Sequence, residues 1–412
     1  MDKLNRFVGL MDNLVYWLIV VLPFFIAIAP APKNIIIGLL IAAFLIRKSL
    51  KREGLFKIDA LNLPLLLLLV ITCLSATNSI SLKDTLKGGI FKLFEHILIF
   101  NIVAQGVKDK KHLRKILLSM ALGVMLASTN AIFQVATGKD FIRGYSPILN
   151  LDLLRATASF KDANILGIFL SAFVPALLGL TLYYFKAGKR IMAALVSILG
   201  LIGIALTYSR PTLLAIYGVF VFFSIARKSK AMIACLIIFT LASPFLLPKS
   251  VKTWARDVEY NPLRFMCNDD RIAVYRNSLL MIKAHPLIGV GANTFMKSYR
   301  FYKEYPEYRN IITLDEMKAH NNFLHMAGEI GLLGLSIFFW FLFILFKESW
   351  KIYRGLKDRY LSAASLSLVA CLIAFLINGL TESSLYYSVV SVLFWYIAGL
   401  SISLKKISDE NR

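Results

Sequence analysis

The sequence predicts an all-α polytopic membrane protein, with about twelve transmembrane helices and one long helical loop outside the membrane. Three observations predict it. Hydrophobic residues make up 58% of the 412 positions and the mean hydropathy is +0.67, more apolar surface than a soluble chain of this length hides. The apolar residues gather into twelve runs near the length that crosses a bilayer. The basic residues gather in every second loop between those runs.

The runs fall at 13–30, 34–46, 60–76, 89–106, 116–136, 163–185, 190–208, 211–226, 231–247, 322–346, 360–379 and 385–404. The second is short, and fits a tilted or re-entrant helix or one that extends into its flanks. Basic clusters occupy Lys3 and Arg6, then 47–57, 108–115, 186–190, 227–230, 347–359, and Lys405 with Lys406. The positive-inside rule assigns these and both termini to the cytoplasm, and the alternate loops to the periplasm of a Gram-negative cell. The first run follows a short basic start without a small-residue cleavage site, so no cleavable signal peptide is expected. Three regions result: 1–247 with nine spans, an outer loop 248–320, and 321–412 with three spans and a cytoplasmic tail.

The net charge of +23 invites a nucleic-acid reading. The charges sit in short loops between apolar segments, so membrane lipids rather than nucleic acid are the expected surroundings. Cys73, Cys235 and Cys371 lie in apolar runs and only Cys267 in a long loop, which argues against a disulfide framework.

Unusual chemistry gathers on the outer side: the 137–162 loop, the turn at Ser209, Arg210 and Pro211, the 248–320 loop, and Thr381, Glu382, Ser383 and Ser384. Within the long loop, 271–284 has apolar residues at helical spacing and predicts an amphipathic helix over the membrane mouth. HPLIGVGANTF at 285–295 ends it with Pro and Gly breakers. Next comes TLDEMKAHNNFLHMAGEIGLLG at 313–334. Thr313 reads as a helix cap, with Glu316 completing a capping box. His320, Asn321 and Asn322 stand where the chain turns apolar, and Glu329, Gly331 and Gly334 lead into a membrane helix. Ionisable groups at such a mouth are costly and point to function.

Four pieces together resemble the O-antigen ligase family, the larger group that also holds O-antigen polymerases and protein O-oligosaccharyltransferases. They are Arg155, Phe160 and Asn164 in RATASFKDANILG; Tyr208, Ser209 and Arg210; Arg271 leading to HPLIGVG with Phe295; and His320 and Asn321 followed by Leu324, Glu329, Gly331 and Gly334. The likeness covers roughly residues 150–400. One departure is Ala163 before Asn164, where family members often have proline.

The resemblance implies a membrane glycosyltransferase (GT-C-like) fold and a metal-independent, cofactor-free inverting transferase. Such an enzyme moves a glycan from undecaprenyl diphosphate to lipid A–core on the outer face of the bacterial inner membrane. A polymerase of the same family, using a second lipid-linked glycan as acceptor, is the nearest alternative. A lipid-linked sugar transporter is the rival from another class; it calls for inverted repeats or paired broken helices, and the sequence displays neither.

The residue types suit the implied chemistry. A leaving lipid diphosphate needs fixed positive charge, and arginine forks bind phosphate oxygens bidentately without losing their proton. Arg155, Arg210 and Arg271 are the candidates, with Arg210 placed in the catalytic set; Arg143, Arg264 and Arg276 lie in the same loops and could substitute. An imidazole, which titrates near neutral pH, can take the proton of an attacking sugar hydroxyl, and His320 is the expected base. Asn164, Asn321, Arg276 and Glu382 complete the expected substrate-binding set. Glu382 also reads as an arginine partner or as a solvated loop carboxylate. His325 and His285 read as structural. Lys92, Glu95 and His96 inside the fourth run admit either an ion pair or a lipid-diphosphate contact. Asp269 and Asp270 raise a metal option, but adjacent carboxylates do not easily converge on one ion, so no metal is expected.

Overall fold

Backbone groups in a bilayer must bond within their own segment, so apolar runs of this length fold as helices. The computed structural model describes residues 2–56, 59–150, 152–246, 249–267, 269–303 and 316–409. A helix underlies each of the twelve runs. Six are by length and composition sufficient to cross a membrane: Leu4–Ile26, Lys110–Thr137, Ala163–Tyr183, Ala187–Leu206, Asn322–Gly355 and Arg359–Asn378. The short second run does extend into its flanks, as Pro30–Leu50.

Ala163–Tyr183 and Arg359–Asn378 pack on each other at the centre, their apolar windows 89% and 78% buried. Small residues permit close approach: Gly179 lies against Ser367 across this pair, and Gly167 against Thr212 of the third helix, Arg210–Ala226. A polar thread joins the three helices, Thr212 donating to Asn378 Oδ1 at 3.0 Å and Asn378 Nδ2 donating to Ser171 at 2.9 Å. Ala187–Leu206 is the opposite case, only 22% buried. It presents Ile191, Met192, Leu195, Ile198 and Ile202 outward, a face suited to lipid rather than water.

Helix Asn322–Gly355 is interrupted at Ile330 and Gly331, where φ is −123° and +71°. The break releases backbone groups that have no helical partner, and the 285–291 segment takes them up. Val290 and Gly291 amides donate to the Gly328 and Glu329 carbonyls at 2.9 and 3.0 Å. In return, Leu332 and Leu333 amides donate to the Pro286 and Leu287 carbonyls at 2.8 and 3.3 Å. HPLIGVG and GEIGLLG are thus two halves of one backbone lock. Its glycines are obligatory: a Cβ on Gly331 would meet the Leu287 oxygen at 2.0 Å, and one on Gly289 (φ +69°) the Glu329 carbonyl carbon at 2.3 Å.

The start of this helix differs from expectation. Thr313 lies outside the described residues, Glu316 is in non-helical chain, and the cap is Asn321. The Asn321 side-chain oxygen accepts from the Phe323 and Leu324 amides at 2.8 and 2.9 Å, which satisfies the first turn locally. The amphipathic helix of the long loop forms as Asp269–Ala284 and packs on Asn322–Gly355, burying Ala273, Val274, Asn277, Ser278 and Met281. An all-α reading also missed a small antiparallel pair, Ile148–Asn150 with Leu153–Arg155. Its strands of three residues are too short to leave a period in the sequence.

Gly331→Ala should cost at least about 2 kcal/mol, because a positive φ and a backbone clash act together. Thermal unfolding of detergent-solubilised protein measures it, with Gly355→Ala, which meets nothing within 4 Å, as the unchanged control.

Candidate active site

After Arg359–Asn378 the chain turns tightly, with the Glu382 amide donating to the Asn378 carbonyl at 2.9 Å. The turn drives the Glu382 side chain inward, to 0% exposure. The solvated-loop alternative for Glu382 is therefore corrected. An unpaired carboxylate at this depth would cost several kcal/mol, and the surroundings remove that cost. On Oε1, Arg271 Nη2 makes an ion pair and Asn164 Nδ2 donates at 3.0 Å. On Oε2, Tyr387 donates its hydroxyl at 3.0 Å and His320 Nδ1 stands at 3.5 Å. Burial pushes this carboxyl up, but the His320 bond and the Arg271 charge outweigh it and hold it below the usual carboxylate range.

His320 has a left-handed backbone, φ +47°, and its carbonyl accepts from the Tyr275 hydroxyl at 3.1 Å. Its Nδ1 faces a carboxylate, which favours the proton on that nitrogen and leaves the Nε2 lone pair available. The side chain is 26% exposed, so an incoming group can reach it.

Three arginines from separate stretches meet around this pair. Arg155 Nε donates to the Thr207 carbonyl and its Nη2 to Asn164 Oδ1, both at 2.8 Å, fixing it at the C-terminal end of Ala187–Leu206. Arg210 opens helix Arg210–Ala226 and its Nη1 donates to the Phe265 carbonyl. Arg210 also feels the charges of Arg271 and Arg155. Burial lowers the Arg155 guanidinium, opposed by Asp162 and Glu382. For Arg271 burial acts downward too, but the Glu382 charge prevails and raises it. Lys318 adds a cation, its Nζ 3.9 Å from the Tyr387 ring centre, with burial lowering it against the pull of Glu382. Arg155, Arg210, Arg271 and Lys318 outnumber the nearby carboxylates Glu382 and Asp162, so the site carries surplus positive charge that an anion would neutralise.

The remaining expected residues divide. Asn164 bridges Arg155 and Glu382 and so belongs to the cluster. Asn321 spends its oxygen on the helix cap and donates from Nδ2 to the Leu380 carbonyl at 2.8 Å. Arg276 is exposed and is not brought to Glu382. Sequence reading missed Tyr275, Tyr387 and Lys318. Tyr275 was findable, because it lies four residues after Arg271 on the same helix face. Tyr387 follows Glu382 through an aperiodic turn and leaves no such signal.

Away from the cluster, Lys92 pairs with Glu95 at 2.6 Å, the ion-pair alternative for the fourth run. His96 contacts Ser391 at 3.3 Å and, with Lys92, Glu329, Tyr386 and Trp395, lines a cavity of about 270 Å³. His325 is 3% exposed and stands 3.2 Å from Glu329. His285 follows helix Asp269–Ala284 and donates its amide to the Met281 carbonyl at 3.1 Å. Among the described residues no three His, Cys, Asp or Glu are grouped to hold a metal ion. The side chains of Asp269 and Asp270 lie outside what is described.

Residues 195–339 match the family model described as O-antigen ligase. That span contains Arg210, Arg271, His320, Glu329 and Gly331, and excludes Arg155, Asn164 and Glu382. A search of curated proteins finds no match.

Because the Glu382 pKa is depressed in the fold, its contribution is present above the unfolded carboxylate pKa, about 4.3, and is lost as pH falls through the folded value. Acid unfolding should show this as a falling stability below that pH. Glu382→Gln should flatten the slope, and an unchanged slope would contradict the assignment.

Proposed function

We propose that this protein is an O-antigen ligase, a metal-independent inverting glycosyltransferase acting at the outer face of the bacterial inner membrane. The family match is the premise. One observation carries the reading: the imidazole of His320 is paired through Nδ1 with a buried carboxylate amid three guanidinium groups.

The chemistry follows from that arrangement. The donor is a glycan on undecaprenyl diphosphate. Arg155, Arg210 and Arg271 hold its diphosphate and neutralise the charge that grows as it departs. A sugar hydroxyl of lipid A–core attacks the anomeric carbon from the opposite side. His320 Nε2 takes the hydroxyl proton while the bond to the diphosphate oxygen breaks, and the lipid diphosphate leaves with the electron pair. Glu382 orients the imidazole and stabilises its protonated form. A single displacement inverts the anomeric centre.

The proposed topology has twelve spans in a GT-C-like fold and both termini in the cytoplasm, with basic loops inside and the cluster outside. The amphipathic helix of the 248–320 loop then lies over the membrane mouth, and the loop falls between nine spans before it and three after. A polymerase would use the same base and arginines. The single long outer loop favours a ligase.

Purified protein reconstituted with a lipid-diphosphate glycan and rough lipopolysaccharide, with chelator present, tests the reading. Product on lipid A–core supports a ligase; a lengthened lipid-diphosphate glycan makes the protein a polymerase; no product with either acceptor contradicts both. His320→Ala should lower kcat by roughly 10²- to 10⁴-fold and leave donor binding intact. A carrier would retain its full rate. Arg210→Lys should lower kcat as well, because an ammonium does not reproduce the fork on phosphate.

A further inference from the structure

His320 sits in a backbone conformation that a non-glycine residue adopts only when its neighbours impose it, φ +47°. The structure identifies what imposes it. On the C-terminal side, Tyr275 donates to the His320 carbonyl at 3.1 Å and Asn321 is locked as a helix cap. On the N-terminal side, the fully buried Ala319 donates its amide to His325 Nδ1 at 3.4 Å. A ring nitrogen that accepts carries no proton, so the His325 proton resides on Nε2, which points to Glu329 Oε1 at 3.2 Å. Oε1 also accepts from the Phe295 amide at 3.3 Å. The His325 ring is held between Phe295 and Tyr386, with centroids at 4.4 and 3.8 Å.

We infer that Glu329 and His325 are positioning residues for the reaction: Glu329 fixes the tautomer of His325, and His325 anchors the Ala319 amide that aims His320. Neither touches the reacting atoms. Two polar contacts, Glu329 to His325 and His325 to Ala319, connect the kinked membrane helix to the base, through a ring whose Nδ1 accepts from Ala319 while an acceptor at position 329 holds the proton on Nε2. With Nδ1 turned to Glu382, Nε2 is the ring nitrogen left for an incoming hydroxyl. The same Glu329 backbone carbonyl accepts from Gly291, so the helix break and the aim of the base share one residue. This accounts for a glutamate two residues before Gly331, a spacing that packing alone does not require.

The inference rests on His320 being the base, and the experiment separates the two. Proteoliposomes carrying Glu329→Leu, Glu329→Gln, His325→Phe and His320→Ala are assayed for glycan transfer from the lipid-diphosphate donor to rough lipopolysaccharide. His325→Phe keeps a ring in the stack but offers Ala319 no acceptor, so it serves where Glu329→Leu does not fold. Glu329→Leu and His325→Phe should each lower kcat roughly 10- to 100-fold with donor KM little changed, as misplacement of a catalytic group does. Glu329→Gln keeps an acceptor for Nε2–H and should restore most of the rate. Either loss should vanish in the His320→Ala background, because a residue acting through another adds nothing once that one is gone. Folded variants with the wild-type kcat, or losses that add fully to His320→Ala, would overturn the inference. Wild-type transfer by His320→Ala would instead overturn the functional reading beneath it.

Discussion

The fold is arranged around a carboxylate that has no business being buried. Glu382 is completely enclosed and stays ionised because four groups from four parts of the chain reach it: Asn164, Arg271, His320 and Tyr387. Removing Arg271 would leave the carboxylate without its ion-pair partner in a poorly hydrated place, where such losses run to several kcal/mol. Glu382 is therefore both a staple and an orienting group. It joins the ends of Ala163–Tyr183, Asp269–Ala284 and Arg359–Asn378 to the entry of Asn322–Gly355, and it engages Nδ1 of His320.

A second constraint supports the first. A helix interrupted within its apolar length must find partners for the backbone groups it frees. Here the partners come from the 285–291 segment, through four reciprocal backbone bonds. The break places Glu329 where its carboxylate meets His325 and its carbonyl meets Gly291. Rigid elements thus deliver the loop residue His320 to the cluster. A base on an unsupported loop would be held less accurately.

The helices were legible because each depends on composition over many residues: twelve apolar runs coincide with twelve helices, and Arg155, Arg210, Arg271, Asn164 and His320 converge. What was illegible depends on partners distant in sequence. Glu382 looked like an ordinary loop carboxylate, since its enclosure comes from residues up to 218 positions away. Asn321 looked free for substrate, but a cap is the cheaper use of an asparagine at a helix start. Arg276 shares a helix with Arg271 yet falls on the solvent side, and one residue of helical rotation decides that. Glu316, expected to complete a capping box, lies in non-helical chain, and the cap of the helix that follows is Asn321.

The account turns on Glu382 acting in the chemical step and not only in the architecture. Single-turnover transfer by Glu382→Gln in donor-saturated proteoliposomes tests it most directly, with donor affinity measured alongside. The account predicts a chemical step slowed by roughly 10²-fold or more, because the imidazole loses the charge that steadies its protonated form, with donor affinity within a few-fold of wild type. A folded variant that transfers glycan at the wild-type single-turnover rate would contradict it.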